Sequence, residues 1–409
     1  MMSEPVRILV IGPSFPFPPT WGHATRVYHL ARQLARRHDV TLLTYSTQSD
    51  EAQVEALRDE FAVEVVPREP LSRSAKRRLQ LASLLSAVPF ETQAAHSPAL
   101  QAAIDRVCAT WRPDVIQLES TLLWSFEFPQ EIPIVLDEHN VDYEVYARMR
   151  ETERSPVRRA FYRLEERRVR RYEQAAWREA AASVLTSARE ERIVSACVPG
   201  ALTAVVSNAV DTDYFHPTGR EAEPHTIAFN GTLEYRPNVD AAEFLVEEIM
   251  PIVRASVPDA RAIIVGRGRE EVLTRLRREG VEATGEVADI RPFLEHAEVV
   301  VAPVRAGGGT RFKVVEGLAL ARPMVSTTIG CEGIDVRDGE HLLVADGAEA
   351  FAAAVLRLFD DRPFATALGR SGREFVEREY SWERAGERLA AIHEQVATTS
   401  RPRLAQARA

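Results

Sequence analysis

The segment 307–316 combines glycine, positive charge and one acid at the predicted start of a helix. Glycine lets a ligand approach the backbone, and the free N–H groups and dipole at a helix start attract an anion such as phosphate. Cations oppose the dipole at this end of a helix, so their presence favours a bound anion over helix stabilisation. The candidate anion-binding residues are Gly307, Gly308, Gly309, Thr310, Arg311 and Lys313.

Glu316 lies about one and a half turns further along the same predicted helix. A carboxylate is an acceptor-only group and can take two hydroxyl donors, as a ribose would offer. The alternative is an ordinary strand-to-helix turn with Glu316 as a surface acid. Its combination with Arg311 and Lys313 favours a nucleotide site.

Polar residues also follow two buried strands of the first half. The apolar run 134–136 leads into Asp137, Glu138, His139 and Asn140, and the run 115–118 leads into Glu119. Open α/β sheets place ligand-binding groups at such strand ends, so we expect an exposed polar edge there. His139 is the catalytic candidate, although a lone histidine is often structural. The other ligand-binding candidates at this edge are Glu119, Glu138 and Asn140.

The elements around these residues alternate between strand and helix patterns, which is typical of parallel sheets covered on both faces. Strands are predicted at 7–11, 40–45, 63–66, 115–118, 134–136, 183–186 and 203–206, and again at 226–229, 262–265, 299–303, 324–326 and 342–344. A turn-rich stretch at 207–217 separates the two series. We therefore predict an α/β protein with domains at 1–207 and 208–381, a helix at 382–396 and a disordered tail at 397–409.

Composition excludes several classes of function. The 409-residue chain has a net charge of −9 and 45% hydrophobic residues, which fits a globular protein and argues against general nucleic-acid binding. Cys108, Cys197 and Cys331 lack metal-site or disulfide spacing, so we expect reduced core residues. No apolar run is long enough to span a bilayer and no signal peptide is recognisable, so a cytoplasmic location is expected.

Residues 70–90 contain a basic amphipathic stretch. One interpretation is a peripheral contact with the inner face of a membrane. The other, which we favour, is a solvated helix packed on its own domain.

The motifs in order resemble those of the family 4 retaining glycosyltransferases. The main signature is the run 309–327, and the accompanying landmarks are 207–211, 230–238, 265–268, 284–287 and 380–383. The resemblance covers nearly the whole chain. It implies a GT-B fold, in which two Rossmann-like domains face each other across a cleft and the C-terminal helix crosses back to the first domain.

The resemblance also implies roles for individual residues. Glu316 would hold the donor ribose, Arg311, Lys313 and Arg236 would meet the diphosphate, and the backbone around Val287 would contact the base. His139 would face the donor sugar and the acceptor, and Glu119, Glu138 and Asn140 would bind the acceptor. Further donor-site positions are Gly22, Gly231 and Gly266. The family usually has an acid where this chain has Gly308, which leaves the donor sugar open.

The function implied is transfer of a sugar from a nucleotide-diphosphate sugar to a hydroxyl acceptor, with retention of configuration, in glycan, polysaccharide or glycolipid assembly. No cofactor or metal is expected, and no D-x-D motif occurs at a predicted strand end. Two alternatives remain open, a nucleotide-sugar epimerase or phosphorylase and a non-catalytic nucleotide-sugar binding protein, because fold does not decide function.

Overall fold

The computed structural model describes residues 4–47, 50–68, 72–83, 86–153, 155–307 and 309–408. The chain divides into two compact units, Met1–Ser207 together with Trp382–Ala409, and Asn208–Ser381. The division falls where the turn-rich stretch was identified in the sequence. Each unit is an α/β domain built on one parallel sheet.

The first unit contains a seven-stranded sheet of order β3-β2-β1-β4-β5-β6-β7. Its strands are β1 (Arg7–Gly12), β2 (Asp39–Ser46), β3 (Ala62–Pro67), β4 (Val115–Glu119), β5 (Ile134–Glu138), β6 (Ala182–Leu185) and β7 (Thr203–Val205). All seven predicted strands are confirmed, with shifts of one or two residues at their ends. The order places the ends of β1, β4 and β5 side by side, which brings the loops after them together.

Helices cover this sheet. They are α1 (Gly22–Ala35), α2 (Glu51–Arg58), α3 (Arg73–Ser83), α4 (Phe90–Ala95), α5 (Pro98–Thr110), α6 (Asp142–Thr152), α7 (Pro156–Glu179) and α8 (Ala188–Cys197). The apolar face predicted for α1 is buried at Ala24, Val27, Ala31 and Leu34. Burial of this stripe packs α1 against the sheet, because a helix with a period of 3.6 residues presents such positions on one face.

The second unit contains a six-stranded sheet of order β10-β9-β8-β11-β12-β13. Its strands are β8 (Glu223–Asn230), β9 (Arg261–Val265), β10 (Val281–Gly285), β11 (Ala297–Ala302), β12 (Met324–Ser326) and β13 (Leu343–Val344). Its helices are α9 (Arg236–Phe244), α10 (Met250–Ser256), α11 (Glu270–Leu276), α12 (Arg291–His296), α13 (Phe312–Ala319), α14 (Ala348–Asp360) and α15 (Arg362–Glu379). The prediction missed β10, a short edge strand whose alternation is brief and ends at glycine.

The last helix, α16 (Trp382–Arg408), belongs to the first unit. It lies close to α1, since a Cβ on Gly386 would sit 2.4 Å from Cβ of Gln33. The backbone stays helical past Val396, where the sequence analysis placed a disordered tail. The tail is rich in alanine and arginine, and extending an existing helix avoids the cost of nucleation, which explains the difference.

None of the helices described is long and apolar enough to cross a membrane. Within the amphipathic stretch 70–90, the basic side chains of Lys76, Arg77 and Arg78 are exposed on α3, whereas Ser83 at its end is buried. Residues 69–71, 84 and 85 lie outside the described part of the chain. Membrane contact by α3 stays a prediction.

The three cysteines are free thiols. Cys108 and Cys331 are buried, as expected of core residues, and Cys197 is half-buried. Burial raises the pKa of Cys108 to about 11, so its thiol is protonated and unreactive at neutral pH.

Candidate functional site

The end of β5 is buried, so the expected exposed polar edge is wrong at this position. Asp137 and Glu138 lie within the strand and are 0% and 1% exposed. Parallel sheets are covered on both faces, and the covering helices reach past the last apolar residue here. His139 and Asn140 follow the strand and are half-buried.

Glu138 does not fit the predicted role of an acceptor-binding residue. Its carboxylate accepts hydrogen bonds from Trp177 Nε1 at 2.8 Å and Thr121 Oγ1 at 3.5 Å inside the core. Burial raises the pKa of Glu138 to about 8. We correct the prediction: Glu138 ties the sheet to α7.

His139 is hydrogen-bonded on both sides of its ring. Its Nε2 lies 2.8 Å from Oε2 of Glu119, and its Nδ1 lies 3.1 Å from Nδ1 of His23. Burial lowers the pKa of His139 to about 4, so the ring is neutral at pH 7. The structure thus joins Glu119 and His139, which sequence reasoning had placed separately at the ends of two strands.

Glu119 is completely buried, which contradicts its assignment to direct acceptor binding. Burial, together with the carboxylate of Asp137, raises the pKa of Glu119 well above its ordinary value. The remaining oxygen of Glu119, Oε1, accepts from Gln117 Nε2 at 2.5 Å. Within the described residues, Glu119 thus contacts His139 and Gln117.

A buried ion pair lies beside this cluster. Arg26 on α1 contacts Asp137 through Nη2 at 2.7 Å and Nε at 3.0 Å, and its Nη1 donates to the carbonyl of Val206 at 2.8 Å. The pair joins residues 111 apart in the sequence, so no local pattern announced it. The positive charge of Arg26 compensates the negative charge of Asp137, whereas Glu119, the other buried acid of this cluster, forms no ion pair with an arginine or lysine among the described residues.

One ligand atom each from Glu119, Asp137 and His139 lie within 4.8 Å of one another. Both oxygens of Asp137 already accept from Arg26, a permanent cation that would repel a divalent ion. We therefore interpret these three side chains as a hydrogen-bonded network and not as metal ligands.

His23, in the first turn of α1, lies in a row of stacked rings. His23 stacks on His139 with ring centroids 4.5 Å apart and on Trp21 at 5.2 Å. Gly22, the predicted glycine of this loop, is the exposed first residue of α1. Sequence reasoning missed His23 because a histidine at a helix start carries no spacing signal.

In the second unit, α13 begins at Phe312, immediately after the glycine-rich segment, as predicted. Lys313 in its first turn is only 8% exposed, and its Nζ donates to Asn238 Oδ1 at 2.7 Å. The same Nζ lies 4.3 Å above the ring of Phe229. Burial lowers the pKa of Lys313 to about 7, so its amine is only partly protonated at neutral pH.

Glu316 lies one turn further along α13. Its Oε2 accepts from Asn230 Nδ2 at 2.8 Å, and burial raises its pKa. Two buried polar atoms nearby, Oδ1 of Asn230 and Oγ1 of Thr310, have no hydrogen-bond partner among the residues the structure describes. The backbone oxygen of Thr310 accepts from Asn208 Nδ2 at 3.1 Å, which holds the glycine-rich loop to the start of this unit. Unpaired buried polar atoms are costly, so they favour a ligand.

The glycines of this unit have distinct physical roles. A Cβ on Gly231 would lie 2.8 Å from Nζ of Lys313, so glycine makes room for the lysine. A Cβ on Gly266 would lie 2.1 Å from the backbone oxygen of Gly231, so Gly266 serves the packing of two loops. Gly307 and Gly309 have φ of 119° and 67°, which only glycine adopts readily. Gly308 lies outside the described residues.

The two remaining donor-site candidates lie at the start of α9 and in the loop after β10. Arg236 is the exposed first residue of α9, the helix that also carries Asn238 and so reaches Lys313. Val287 is half-buried in the loop after β10. The structure thus brings Gly231 and Asn238 to Lys313, and Asn230 to Glu316, on the helix that follows the glycine-rich loop.

Two sheets of parallel strands, each with covering helices, define the GT-B fold. The family described as Glycosyltransferase Family 4 matches residues 21–214, and the family Glycosyl transferases group 1 matches residues 224–361. Together the two matches cover most of the chain. The chain belongs to the family 4 glycosyltransferases.

Curated relatives include two mannosyltransferases. A GDP-mannose-dependent monoacylated alpha-(1-6)-phosphatidylinositol monomannoside mannosyltransferase of Corynebacterium glutamicum is 32% identical over 41% of this chain and 46% of the relative. A GDP-mannose-dependent alpha-(1-6)-phosphatidylinositol monomannoside mannosyltransferase of Mycobacterium tuberculosis is 29% identical over 50% of this chain and 59% of the relative. The chain thus spans about half the length of the curated relatives it matches.

Solved structures share the fold over nearly the whole chain. Sucrose-phosphate synthase from Thermosynechococcus elongatus has a TM-score of 0.73 and 18% identity, covering 96% of this chain and all of that chain. HepE from Anabaena, in complex with UDP-glucose, has a TM-score of 0.67 and 14% identity, covering 95% of this chain and 99% of that chain. At this identity the likeness is one of fold.

Proposed function

We propose that this protein is a retaining glycosyltransferase that moves a sugar from a nucleotide-diphosphate sugar to a hydroxyl group of an acceptor. The proposal rests on one observation above all, the buried Lys313 at the start of α13 beside Glu316. Glu316 attracts Lys313 but forms no ion pair with it among the described residues, so holding this lysine out of water is costly, and a bound diphosphate would reduce that cost. The free N–H groups at the start of α13 favour the same anion.

The nucleotide would lie along α13. Lys313, Arg311 and the backbone around Gly307 and Gly309 would meet the diphosphate, and Glu316 would accept the ribose hydroxyls. The position of Glu316 is fixed by its hydrogen bond from Asn230. Arg236, at the start of α9, and Val287, after β10, are the proposed contacts to the outer phosphate and to the base.

Transfer with retention would follow a front-face substitution. The acceptor hydroxyl attacks the anomeric carbon from the side that the diphosphate leaves, and the departing oxygen helps to take the hydroxyl proton. Charge grows on the diphosphate as it departs, and preorganised cations and N–H groups at that place lower the barrier. His139, in the first unit, is the proposed catalytic residue.

We propose that no metal ion or cofactor is needed, because Arg311 and Lys313 supply the positive charge that a metal would otherwise give to the leaving group. Addition of a chelator should leave the rate unchanged. A strict requirement for magnesium or manganese would contradict this part of the proposal.

The names of the relatives suggest the first donor and acceptor to test. GDP-mannose comes first, and a phosphatidylinositol mannoside is the first acceptor class. UDP-glucose is the matched second donor, since a structural neighbour of the same fold was solved with it. Gly308 replaces the acid that usually contacts the donor sugar, so both sugars belong in the panel.

The decisive experiment incubates the protein with each nucleotide sugar, with and without acceptor, and measures free nucleoside diphosphate and the product. Acceptor-dependent release of diphosphate, with a new glycoside of retained configuration, is the expected result. Conversion of one sugar nucleotide into another would show an epimerase. Formation of a sugar 1-phosphate that requires added inorganic phosphate would show a phosphorylase. Tight binding without turnover across the panel would show a nucleotide-sugar binding protein.

The less favoured interpretation of α3, a contact with an anionic membrane surface where a lipid-linked acceptor would be found, can also be tested. The exposed Lys76, Arg77 and Arg78 support this, since each basic residue near such a surface adds about 1 kcal/mol. The triple substitution of these residues by glutamate should abolish sedimentation with phosphatidylglycerol vesicles and leave sedimentation with neutral vesicles unchanged. Equal sedimentation of both proteins would sink the idea.

A further inference from the structure

A continuous chain of five hydrogen-bonded side chains runs through the first unit. It links His23 Nδ1 to His139 Nδ1 at 3.1 Å, His139 Nε2 to Glu119 Oε2 at 2.8 Å, Glu119 Oε1 to Gln117 Nε2 at 2.5 Å, and Gln117 Oε1 to His393 Nε2 at 2.6 Å. The chain begins on α1, passes the ends of β5 and β4, and finishes on α16. It therefore connects the candidate catalytic histidine to the terminal helix.

Both ends of the chain are open. Nε2 of His23 and Nδ1 of His393 are buried atoms without a hydrogen-bond partner in the part of the chain that the structure describes. Neutral imidazole has one donor and one acceptor nitrogen, so each ring must choose which nitrogen carries the proton. Because the rings are hydrogen-bonded in series, the choices are coupled.

The side toward α16 has one arrangement. Gln117 Nε2 donates to Glu119, so its Oε1 must accept, and His393 must carry its proton on Nε2. Burial lowers the pKa of His393 to about 3, so this ring stays neutral. Gln117 and His393 thus hold one oxygen of Glu119 as an acceptor and leave only Oε2 free to change.

The side toward α1 has two arrangements. When Glu119 is ionised, Oε2 accepts from His139 Nε2–H, so His139 Nδ1 is bare and accepts from His23 Nδ1–H. When Glu119 carries a proton on Oε2, it donates to His139 Nε2, and His139 Nδ1–H donates to His23. Both rings exchange tautomers together, and neither becomes charged.

We propose that Glu119 sets the tautomer of His139 through this chain, with His23, Gln117 and His393 as the positioning residues that make the setting all-or-none. The proposal rests on the function proposed above, for which His139 is a catalytic residue. The active arrangement is the one with Glu119 ionised, since its negative charge behind the imidazole favours the positive charge that grows on the reacting sugar. Turnover then falls as pH drops through the titration of Glu119.

The charges around Glu119 are compatible with such a titration. Desolvation and Asp137 on β5 raise the pKa of Glu119, whereas Arg26 on α1 and the hydrogen bond from Gln117 on β4 lower it. On α16, His393 is neutral.

Further charged groups lie one step away. His38 faces His393, and Glu394 on α16 lies 3.6 Å from His38 Nε2. Glu190 on α8 interacts with Arg26, and Glu138 is bonded on the opposite side of β5. None of these replaces Glu119 as the group joined to Nε2 of His139.

The test is NMR of protein labelled with heavy nitrogen in histidine, titrated from acid to alkaline pH. The ring-nitrogen shifts report each tautomer, and His23→Gln and His139→Gln identify the signals. We expect His139 and His23 to change tautomer with one shared midpoint. In Glu119→Gln the amide donates to His139 Nε2, so His139 should keep its proton on Nδ1 at every pH at which the ring is neutral.

Two controls test whether the effect is specific to the hydrogen-bonded side chains from His23 to His393. Glu138→Gln changes a neighbouring buried carboxyl off the chain, and the shared transition should survive in it. His341 in the second unit, whose Nδ1 accepts from the backbone of Arg337, should show the same signals in Glu119→Gln as in wild type. Zinc-dependent shifts of the His139 signals would overturn the proposal in favour of a metal site.

Activity provides the second readout. Glu119→Gln should lower kcat at least about tenfold with an unchanged KM for the donor and remove the acidic limb of the pH profile, as expected of an imidazole held in the wrong tautomer. Independent titration of the two histidines, or a tautomer of His139 that persists unchanged in Glu119→Gln, would overturn the proposal. Failure of wild type to transfer any sugar would instead count against the proposed function and leave the NMR result to stand alone.

Discussion

The side chain of Lys313 shows how burial prepares a residue for a ligand. Its ammonium group has one hydrogen bond, to Asn238, and one aromatic face, that of Phe229. Those contacts replace only part of its hydration, which is why its pKa falls to about 7. A diphosphate would return the missing interactions, so ligand binding and protonation of Lys313 should be coupled.

We predict that nucleoside diphosphate binding takes up a proton at Lys313 above pH 7. The free lysine, with its pKa of about 7, is charged below that pH and neutral above it, whereas a bound diphosphate raises its pKa. Affinity should therefore be highest below about pH 7 and decline as pH rises. Calorimetric titration with GDP in two buffers of different ionisation enthalpy measures the proton directly, and Lys313→Gln should show no lysine-linked uptake.

We predict that Glu316→Gln weakens nucleotide binding by roughly 1.5–3 kcal/mol, the typical loss when a charged acceptor of hydrogen bonds is removed. The matched control is Glu282→Gln, an exposed glutamate on β10. Thermal-shift titrations with GDP and UDP give both affinities. Equal affinities for the variant and the wild type would show that Glu316 does not hold the ribose.

At the scale of elements, a buried ion pair joins α1 to the sheet of the first unit. Arg26 and Asp137 are 1% and 0% exposed in their side chains, so each needs the other. His23 lies on α1 with Arg26, and His139 directly follows the strand that carries Asp137. Stability and the geometry of the histidines are thus linked through α1.

We predict that Arg26→Met lowers the free energy of unfolding of the first unit by about 3–5 kcal/mol, because it leaves Asp137 buried and unpaired. The double variant Arg26→Met with Asp137→Leu should recover much of that loss. Arg58→Ala, which breaks an exposed pair with Glu55, is the control and should cost about 0–1 kcal/mol. Urea unfolding measures all three, and a double variant less stable than the single one would contradict the account.

At the scale of the whole molecule, each unit has its own sheet and its own buried core. Apart from Gly22, the proposed nucleotide contacts lie in the unit Asn208–Ser381, and the histidine network lies in the other. A ligand that binds only the folded state of one unit stabilises that unit.

We predict two calorimetric unfolding transitions, of which nucleoside diphosphate raises only one. At a ligand concentration of a hundred times the dissociation constant, the gain should be roughly 2.7 kcal/mol. Glu316→Gln should reduce this shift, while Arg26→Met should lower the other transition. Equal shifts of both transitions with GDP would contradict the assignment of the nucleotide to one unit.

The amino-acid sequence alone determined the class of fold, twelve of the thirteen strands in the described part of the chain, and the helix start after the glycine-rich segment. These follow from local periodicity and from glycine, whose effects act within a few residues. The strand β10 was not predicted, because its alternating pattern is short and its place at the sheet edge is set by pairing with β9.

Only the tertiary structure decided which polar residues are buried and which side chains meet. The positions of Asp137, Glu138 and Glu119 looked alike in the sequence, at the ends of strands, yet Arg26, Trp177 and His139 give them different roles. Each of these partners comes from a distant part of the chain, and burial depends on what covers a strand. The link from His139 through Glu119 to His393 exists for the same reason, since it needs α16 to return to the first sheet.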